Sequence, residues 1–247
     1  MGEASEVDGP PIRAAVPPRG AGPGGAESRL DRVLPYVFGR APSPLRRLAA
    51  RLLEVGARRR LATRRPPLRL CLGSGRAPIP EWVNIDLHLG ADVVLDLTSG
   101  IPAPPGSVET VYSEHLIEHF SLEEGLALLR ECRRVLEPAG ILRIATPDLA
   151  TLVDDYRHTW RTHDWVSWPE YRWVDSGARM LNQAFRGWGH LYLYDFEDLS
   201  ARLESAGFRD VRRCAIGESE HPHLRGLETR RDSGLVVEAS AGPGRSA

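Results

Sequence analysis

From Leu68 to Asp86 the chain reads as a short apolar strand (Leu68 to Leu72), a glycine turn (Gly73-Ser74-Gly75) and a second apolar strand (Trp82 to Ile85) that ends in a carboxylate, Asp86. With no Cβ at either glycine, a ligand can approach the backbone closely. An acid at the tip of the second strand is well placed to hold ribose hydroxyls. Taken alone, the stretch is equally an ordinary strand–turn–strand. The rest of the chain decides between the two.

Composition removes several function classes. A formal charge of -1 argues against a general nucleic-acid binder, so no nucleic acid is expected among the partners. All 32 basic residues are arginine, which excludes a lysine Schiff base and a Walker-type phosphate lysine. The absence of lysine, with abundant alanine, glycine and proline, suggests a bacterial source. Cys71, Cys132 and Cys214 form no C-x-x-C pair, and buried thiols in a reducing cytoplasm are the simple reading. No apolar run reaches membrane-spanning length, and the acidic N-terminus lacks a secretory h-region, so a soluble cytoplasmic protein is expected.

In chain order, residues 1–27 are rich in proline and glycine and read as a disordered tail. A helical extension is expected over 28–66. Its clearest part is a helix from Ser43 to Arg60, with Ser43 as N-cap and Pro44 at the first helical position. Leu45, Leu48, Leu52 and Val55 form an apolar stripe, and Arg47, Arg51 and Arg58 lie on another face. This helix either meets anionic lipid or an acidic partner, or simply packs on the main domain with a solvated arginine face; packing is the favoured reading.

The main domain is assigned to 67–240, followed by a frayed tail at 241–247. Strands are expected at Val93 to Leu95, Val108 to Tyr112, Ile141 to Ala145, Val211 to Ala215 and Leu235 to Ala239. Ser121 and Glu124 form a capping box ahead of a helix from Leu122 to Leu136, which Pro138 and Gly140 end. A second helix runs from Phe196 to Ser205, stopped by Gly207. Alternating strands and helices predict an α/β fold with a mostly parallel sheet covered by helices. Between 150 and 190 the regularity breaks, and five of the six tryptophans fall there: Trp160, Trp165, Trp168, Trp173 and Trp188.

Asp86, Asp96 and Glu114 each fall at or just after the carboxyl end of an expected strand, the edge at which open parallel sheets bind ligands. Glycines at one strand end and acids at the next three describe one crevice. Its ligand does not present phosphates to a helix start, because Pro78 stands where a third fingerprint glycine would be and Pro80 follows. A ribose and adenine without phosphates fit better, and S-adenosylmethionine (SAM) is such a ligand.

The segments Leu70-Cys71-Leu72-Gly73-Ser74-Gly75, Trp82 to Leu87, Tyr112 to Phe120 and Arg134 to Leu149 resemble class I SAM-dependent methyltransferases. They are similar in particular to the bacterial methyltransferase-domain group with a short first loop. The resemblance implies a Rossmann-like seven-stranded sheet with helices on both faces, and methyl transfer. It also implies SAM held by Gly73, Ser74, Gly75, Asp86, Leu87, Asp96, Leu97 and Glu114. The third loop glycine is missing, and Ala139 replaces a common glycine before the fifth strand.

Catalytic candidates are His115 and His190, either of which could serve as a base for a hydroxyl acceptor. The acceptor is expected to be a small molecule, glycan or natural product, methylated on oxygen or nitrogen. The tryptophan-rich insertion is either a lid or a helical subdomain with an aromatic core. Ser219 to His223 reads as a polar loop near the same mouth, and Arg230 as a surface residue. Two rivals stand beside this reading. One is a methyltransferase-like protein that binds without turnover. The other is a zinc hydrolase using His115-x-x-Glu118-His119, a pattern that puts two histidines four apart on a helix. The methyltransferase reading assigns no metal ligand.

Overall fold

The structure, a computed structural model, describes residues 55–61, 63–64, 67–88 and 90–242. The tail expected at 1–27, the helix expected at 43–60 up to residue 54, and the tail from 243 lie outside the described residues. Residues 55–61 are helical, and Ala57 and Leu61 are buried in the main core while Arg58, Arg59 and Arg60 face outward. Over its described turns this helix therefore packs on the domain. Among the described residues no helix is long and apolar enough to cross a membrane.

Seven strands form one sheet: β1 Leu68–Leu72, β2 Val83–Asp86, β3 Val93–Val94, β4 Val108–Glu114, β5 Leu136–Thr146, β6 Arg209–Cys214 and β7 Leu235–Ser240. Their spatial order is β3-β2-β1-β4-β5-β7-β6. The first five pair in parallel, and β7 enters antiparallel between β5 and β6. Among the described residues after β1 there are four α-helices: α1 Leu122–Val135 and α4 Phe196–Ser205, both expected, and α2 Leu149–His158 and α3 Gly177–Asn182 within the insertion. This is a Rossmann-like sheet whose order reverses at β1 and β4, placing a crevice above their carboxyl ends.

Alternation along the strands sorts the core. Leu68, Leu70 and Leu72 of β1, Leu142 and Ile144 of β5, and Leu235 and Val237 of β7 join Leu128, Leu129 and Cys132 of α1 and Leu199 and Leu203 of α4 in the main cluster. On the opposite face Cys71 and Tyr112 pack with Trp82 and Leu224, so this face is covered by the 215–230 segment and its 3-10 turn, Pro222–Leu224. The expected polar loop at 219–223 therefore serves as cover. His223 Nε2 lies 2.8 Å from Thr110 Oγ1, and its ring sits beside Trp82.

α1 begins with the expected capping box, Ser121 accepting from Glu124 N while Glu124 Oε2 accepts from Ser121 N. Two boundaries differ from expectation. β4 runs on through Glu114, two residues past Tyr112. β5 starts directly after α1 at Leu136, so Pro138 and Gly140 do not separate helix from strand. They form an irregularity within β5, where the register jumps from Val108↔Leu136 to Thr110↔Ile141. Pro138 has no N–H to give the ladder, and Ala139 adopts φ +63.

The insertion has its own aromatic core. Trp165, Met180, Leu152, Val174, Ala184 and Leu193 are buried together, with Trp160, Trp168, Tyr171 and Trp188 packed against them. Trp165 meets Trp188 and Tyr171 edge-on at 4.8 and 5.1 Å between ring centroids. Of the two readings the sequence left open, the helical subdomain with an aromatic core describes it.

The sheet also buries a charge. Arg143 of β5 is fully buried, with Nε 2.6 Å from Glu228 Oε1 and Nη1 2.6 Å from Glu238 Oε1. Burial opposes ionisation of Glu238, but Ser219, Arg212 and Arg143 outweigh it and hold its carboxyl below the usual range. The folded state thus binds fewer protons there than the unfolded chain, so the pair stabilises above the ordinary carboxylate range, and that contribution is lost as pH falls through the folded value. Replacing Arg143 leaves the Glu228 side chain buried without its cation and leaves Glu238 with Arg212 alone. Arg143→Leu is expected to lower unfolding stability by about 3–5 kcal/mol at pH 7 in urea melts. Below about pH 4 the gap between variant and wild type should narrow.

Candidate active site

The crevice is built by strand ends. β1 runs into Gly73 at φ +68, and a Cβ there would come within 2.8 Å of Leu116 Cδ1. Gly73 N and Ser74 N both donate to Ile85 O, which folds the turn back onto β2. Gly75, at φ +52, has open space where a Cβ would stand. Asp86 then joins the two halves: Oδ2 accepts from Gly75 N at 2.8 Å and Oδ1 from His88 N at 2.8 Å. Each carboxylate oxygen keeps acceptor capacity beyond these bonds. Ser74 Oγ is buried with no hydrogen-bond partner.

A cavity of about 780 Å³ opens over this turn, within the range of ~300–1,000 Å³ usual for small-molecule sites. Gly73, Ser74, Gly75, Asp86, Leu87, Asp96, Glu114 and His115 all line it. Leu97 does not: its side chain is buried in the main core. It is the first residue of a 3-10 turn, Leu97–Ser99, that Asp96 caps. Asp96 Oδ1 accepts from Thr98 N and Thr98 Oγ1, and Thr98 also lines the cavity.

Glu114 differs from the other acids. Its carboxylate accepts from Thr229 N and Oγ1, Arg230 N and Ser233 Oγ, at 2.8 to 3.0 Å. It ties the loop before β7 to the end of β4 and so forms one wall. Thr229, Arg230 and Leu227 line the cavity as a result. Arg230, expected to be an uninvolved surface residue, sits at the mouth with Nε 3.3 Å from Asp232 Oδ1.

His115 follows Glu114 at φ +48, an unfavourable backbone for a non-glycine residue. Its main-chain N–H donates to Ala145 O, which fixes the turn. The ring lies between two carboxylates, Nδ1 3.1 Å from Glu118 Oε1 and Nε2 3.6 Å from Asp232 Oδ1. Nε2 has no hydrogen-bond partner.

His190 is not at the crevice. It is buried, with Nδ1 2.6 Å from Ala184 O, and lines a second cavity of about 230 Å³ beside Trp165, Trp188 and Asp232. Burial holds its imidazole below the usual range, partly offset by Glu118. His190, one of the two candidate bases in the sequence, is drawn inward by the insertion's core.

The zinc-peptidase pattern needs an α-helix from His115 to His119. The chain instead turns sharply at His115 and forms a 3-10 turn over Ile117–His119. The two rings diverge, His115 towards Asp232 and His119 towards His190, at 5.0 Å between centroids.

Residues 80–144 match the family described as "Methyltransferase domain". Two Mycobacterium tuberculosis proteins, from strains CDC 1551 and H37Rv, are each named "Probable S-adenosylmethionine-dependent methyltransferase" and are 26% identical over 136 residues. Over these residues the chain is similar to SAM-dependent methyltransferases. The matched region is 55% of this chain and 39% of either relative. A solved SAM-dependent methyltransferase from Archaeoglobus fulgidus aligns with 85% of this chain and all of its own, at 16% identity and a TM-score of 0.44.

Sequence reasoning missed Tyr112, Thr98, Leu227, Thr229 and Asp232 around the crevice. Tyr112 carried a signal, since it falls on β4 within the quoted motif. The residues from 227 to 232 carried none. Cys71 lies beneath the crevice, and burial, then Asp86 and Glu114, push its thiol up to about 12. Burial, then Glu131, also pushes Cys132 up to about 12. Thiolate is the reactive form, so iodoacetamide at pH 7.5 is expected to leave both unmodified in the folded protein. Peptide mass spectrometry should find both labelled in denaturant.

Proposed function

We propose that this chain transfers the methyl group of SAM to an oxygen or nitrogen of a small-molecule, glycan or natural-product acceptor. The observation that carries this reading is the hydrogen bond from Gly75 N to Asp86 Oδ2, beside an unpartnered Ser74 hydroxyl. It makes the glycine turn and the acid one cradle with donors and acceptors left for a ligand. SAM supplies an electrophilic methyl on a sulfonium, taken by in-line displacement.

The protein's contribution is positioning. Asp86 accepts from ribose hydroxyls, Ser74 Oγ gains a partner on the ligand, and Asp96 sits at the place for the adenine amino group. The carboxylates around the crevice suit a ligand bearing a sulfonium and an ammonium. Leu116, Phe120, Leu191 and Leu227 line the cavity and restrict water near the reacting carbon. His115 Nε2 is the atom to receive the acceptor's proton, with Glu118 and Asp232 orienting the ring. His190 has no part in this step.

Calorimetry with S-adenosylhomocysteine tests the cradle. Wild type and Arg130→Ala, an exposed α1 control, should bind alike, while Asp86→Ala should bind at least about tenfold more weakly. No binding of SAM or S-adenosylhomocysteine at high protein concentration would sink the enzyme reading. With an acceptor in hand, His115→Ala should lower kcat by about 10²–10⁴-fold with cofactor affinity unchanged. Tight cofactor binding with no turnover of any acceptor would favour the non-catalytic alternative.

A further inference from the structure

Behind the crevice wall, Glu118 is completely buried in the 3-10 turn after His115. Its Oε2 accepts from Thr146 Oγ1 at 3.0 Å, but Oε1 has no hydrogen-bond partner. His115 Nδ1 lies 3.1 Å from it as an ion-pair contact. An ionised oxygen left so in a dry interior is costly unless a cation meets it. Two other nitrogens approach the same place. His190 Nδ1 lies against the Ala184 carbonyl, which can only accept, so Nδ1 carries the proton and Nε2 presents its lone pair. That Nε2 is 4.0 Å from Glu118 Oε1. The His119 ring meets the His190 ring edge-on, and one donor atom from each of Glu118, His119 and His190 lies within 4.8 Å of the others.

We propose that Glu118, His119 and His190 form a site for a divalent transition-metal ion, with zinc the best match to two imidazoles and one carboxylate. A Zn²⁺ with bonds of ~2.0–2.2 Å to such donors requires them, now within 4.8 Å of one another, to close in on the ion. The outer contacts are those that metal ligands usually have. His190 is oriented by a backbone carbonyl, and the Glu118 carboxylate is held by Thr146. Glu118 O also accepts from Leu191 N and Tyr192 N, which fixes the 3-10 turn to the segment carrying His190. Three protein ligands leave a coordination position open. His119 is the exposed member and lines the crevice, so the site faces the cavity from which an acceptor oxygen, nitrogen or water can reach it. This set differs from the His115–His119 pair of the zinc-peptidase pattern, since His115 turns away to Asp232. The proposal does not rest on methyl transfer.

The full-length protein, stripped with chelator, is titrated with Zn²⁺ by calorimetry and with Co²⁺ by visible absorbance. One saturable equivalent is expected, with Co²⁺ bands of a nitrogen–oxygen site. His119→Ala, which removes an exposed side chain, and His190→Ala should each weaken Zn²⁺ by at least about tenfold. His158→Ala, an exposed histidine on α2, should leave it unchanged. Circular dichroism and thermal melting report whether each variant is folded, so loss of metal is read separately from loss of structure. No saturable binding, or binding that survives His119→Ala or falls equally with His158→Ala, overturns the site.

Discussion

The Glu114 carboxylate is the contact on which the crevice depends. It stands at the end of a central parallel strand and gathers the main-chain and hydroxyl donors of Thr229, Arg230 and Ser233. Bonds from several donors to one ionised acceptor are stronger than neutral ones and fix a direction. The loop so held closes one side of the cavity, brings Asp232 to His115, and delivers the chain to β7 in the antiparallel sense. The resemblance assigns Glu114 to the cofactor. In the structure its oxygens are committed to the wall, while Asp86, Asp96 and Ser74 line the cavity beside it.

What was legible in the sequence was local. α1 could be read because Ser121 and Glu124 satisfy each other's backbone across one turn, and α4 because Gly207 takes φ +95 past its end. β1 was legible to the residue, since a glycine at φ +68 can follow no further strand pairing. The start of β5 was hidden, because Pro138 and Gly140 look like punctuation yet are absorbed as an irregularity against β4. No sequence window contains the partner strand that permits this.

The same distinction divides the site. Asp86 and Asp96 were readable because strand ends in a parallel sheet converge by topology alone, whatever the loops do. Thr229 and Asp232 reach the crevice through Glu114, more than a hundred residues earlier in the chain, and nothing in their neighbourhood marks them. His190 was misplaced for a related reason. Its position is set by the aromatic core of the insertion, by Trp188 at 5.5 Å and by the Ala184 carbonyl, not by the sheet.

That core also determines what the insertion can do. A lid that opens must leave the body of the protein without exposing a large apolar surface. Here Trp165 and Met180 are buried within the subdomain, while Leu149 N donates to Tyr194 O and Asp148 Oδ2 pairs with Arg213 of β6. The Asp148–Arg213 pair thus ties the subdomain's entry to the sheet, and the Leu149–Tyr194 bond ties its entry to its exit. The second cavity, lined by Trp188 and His190, also takes in Arg231 and Asp232, whereas Thr229 and Arg230 line the crevice, so the loop held by Glu114 borders both cavities.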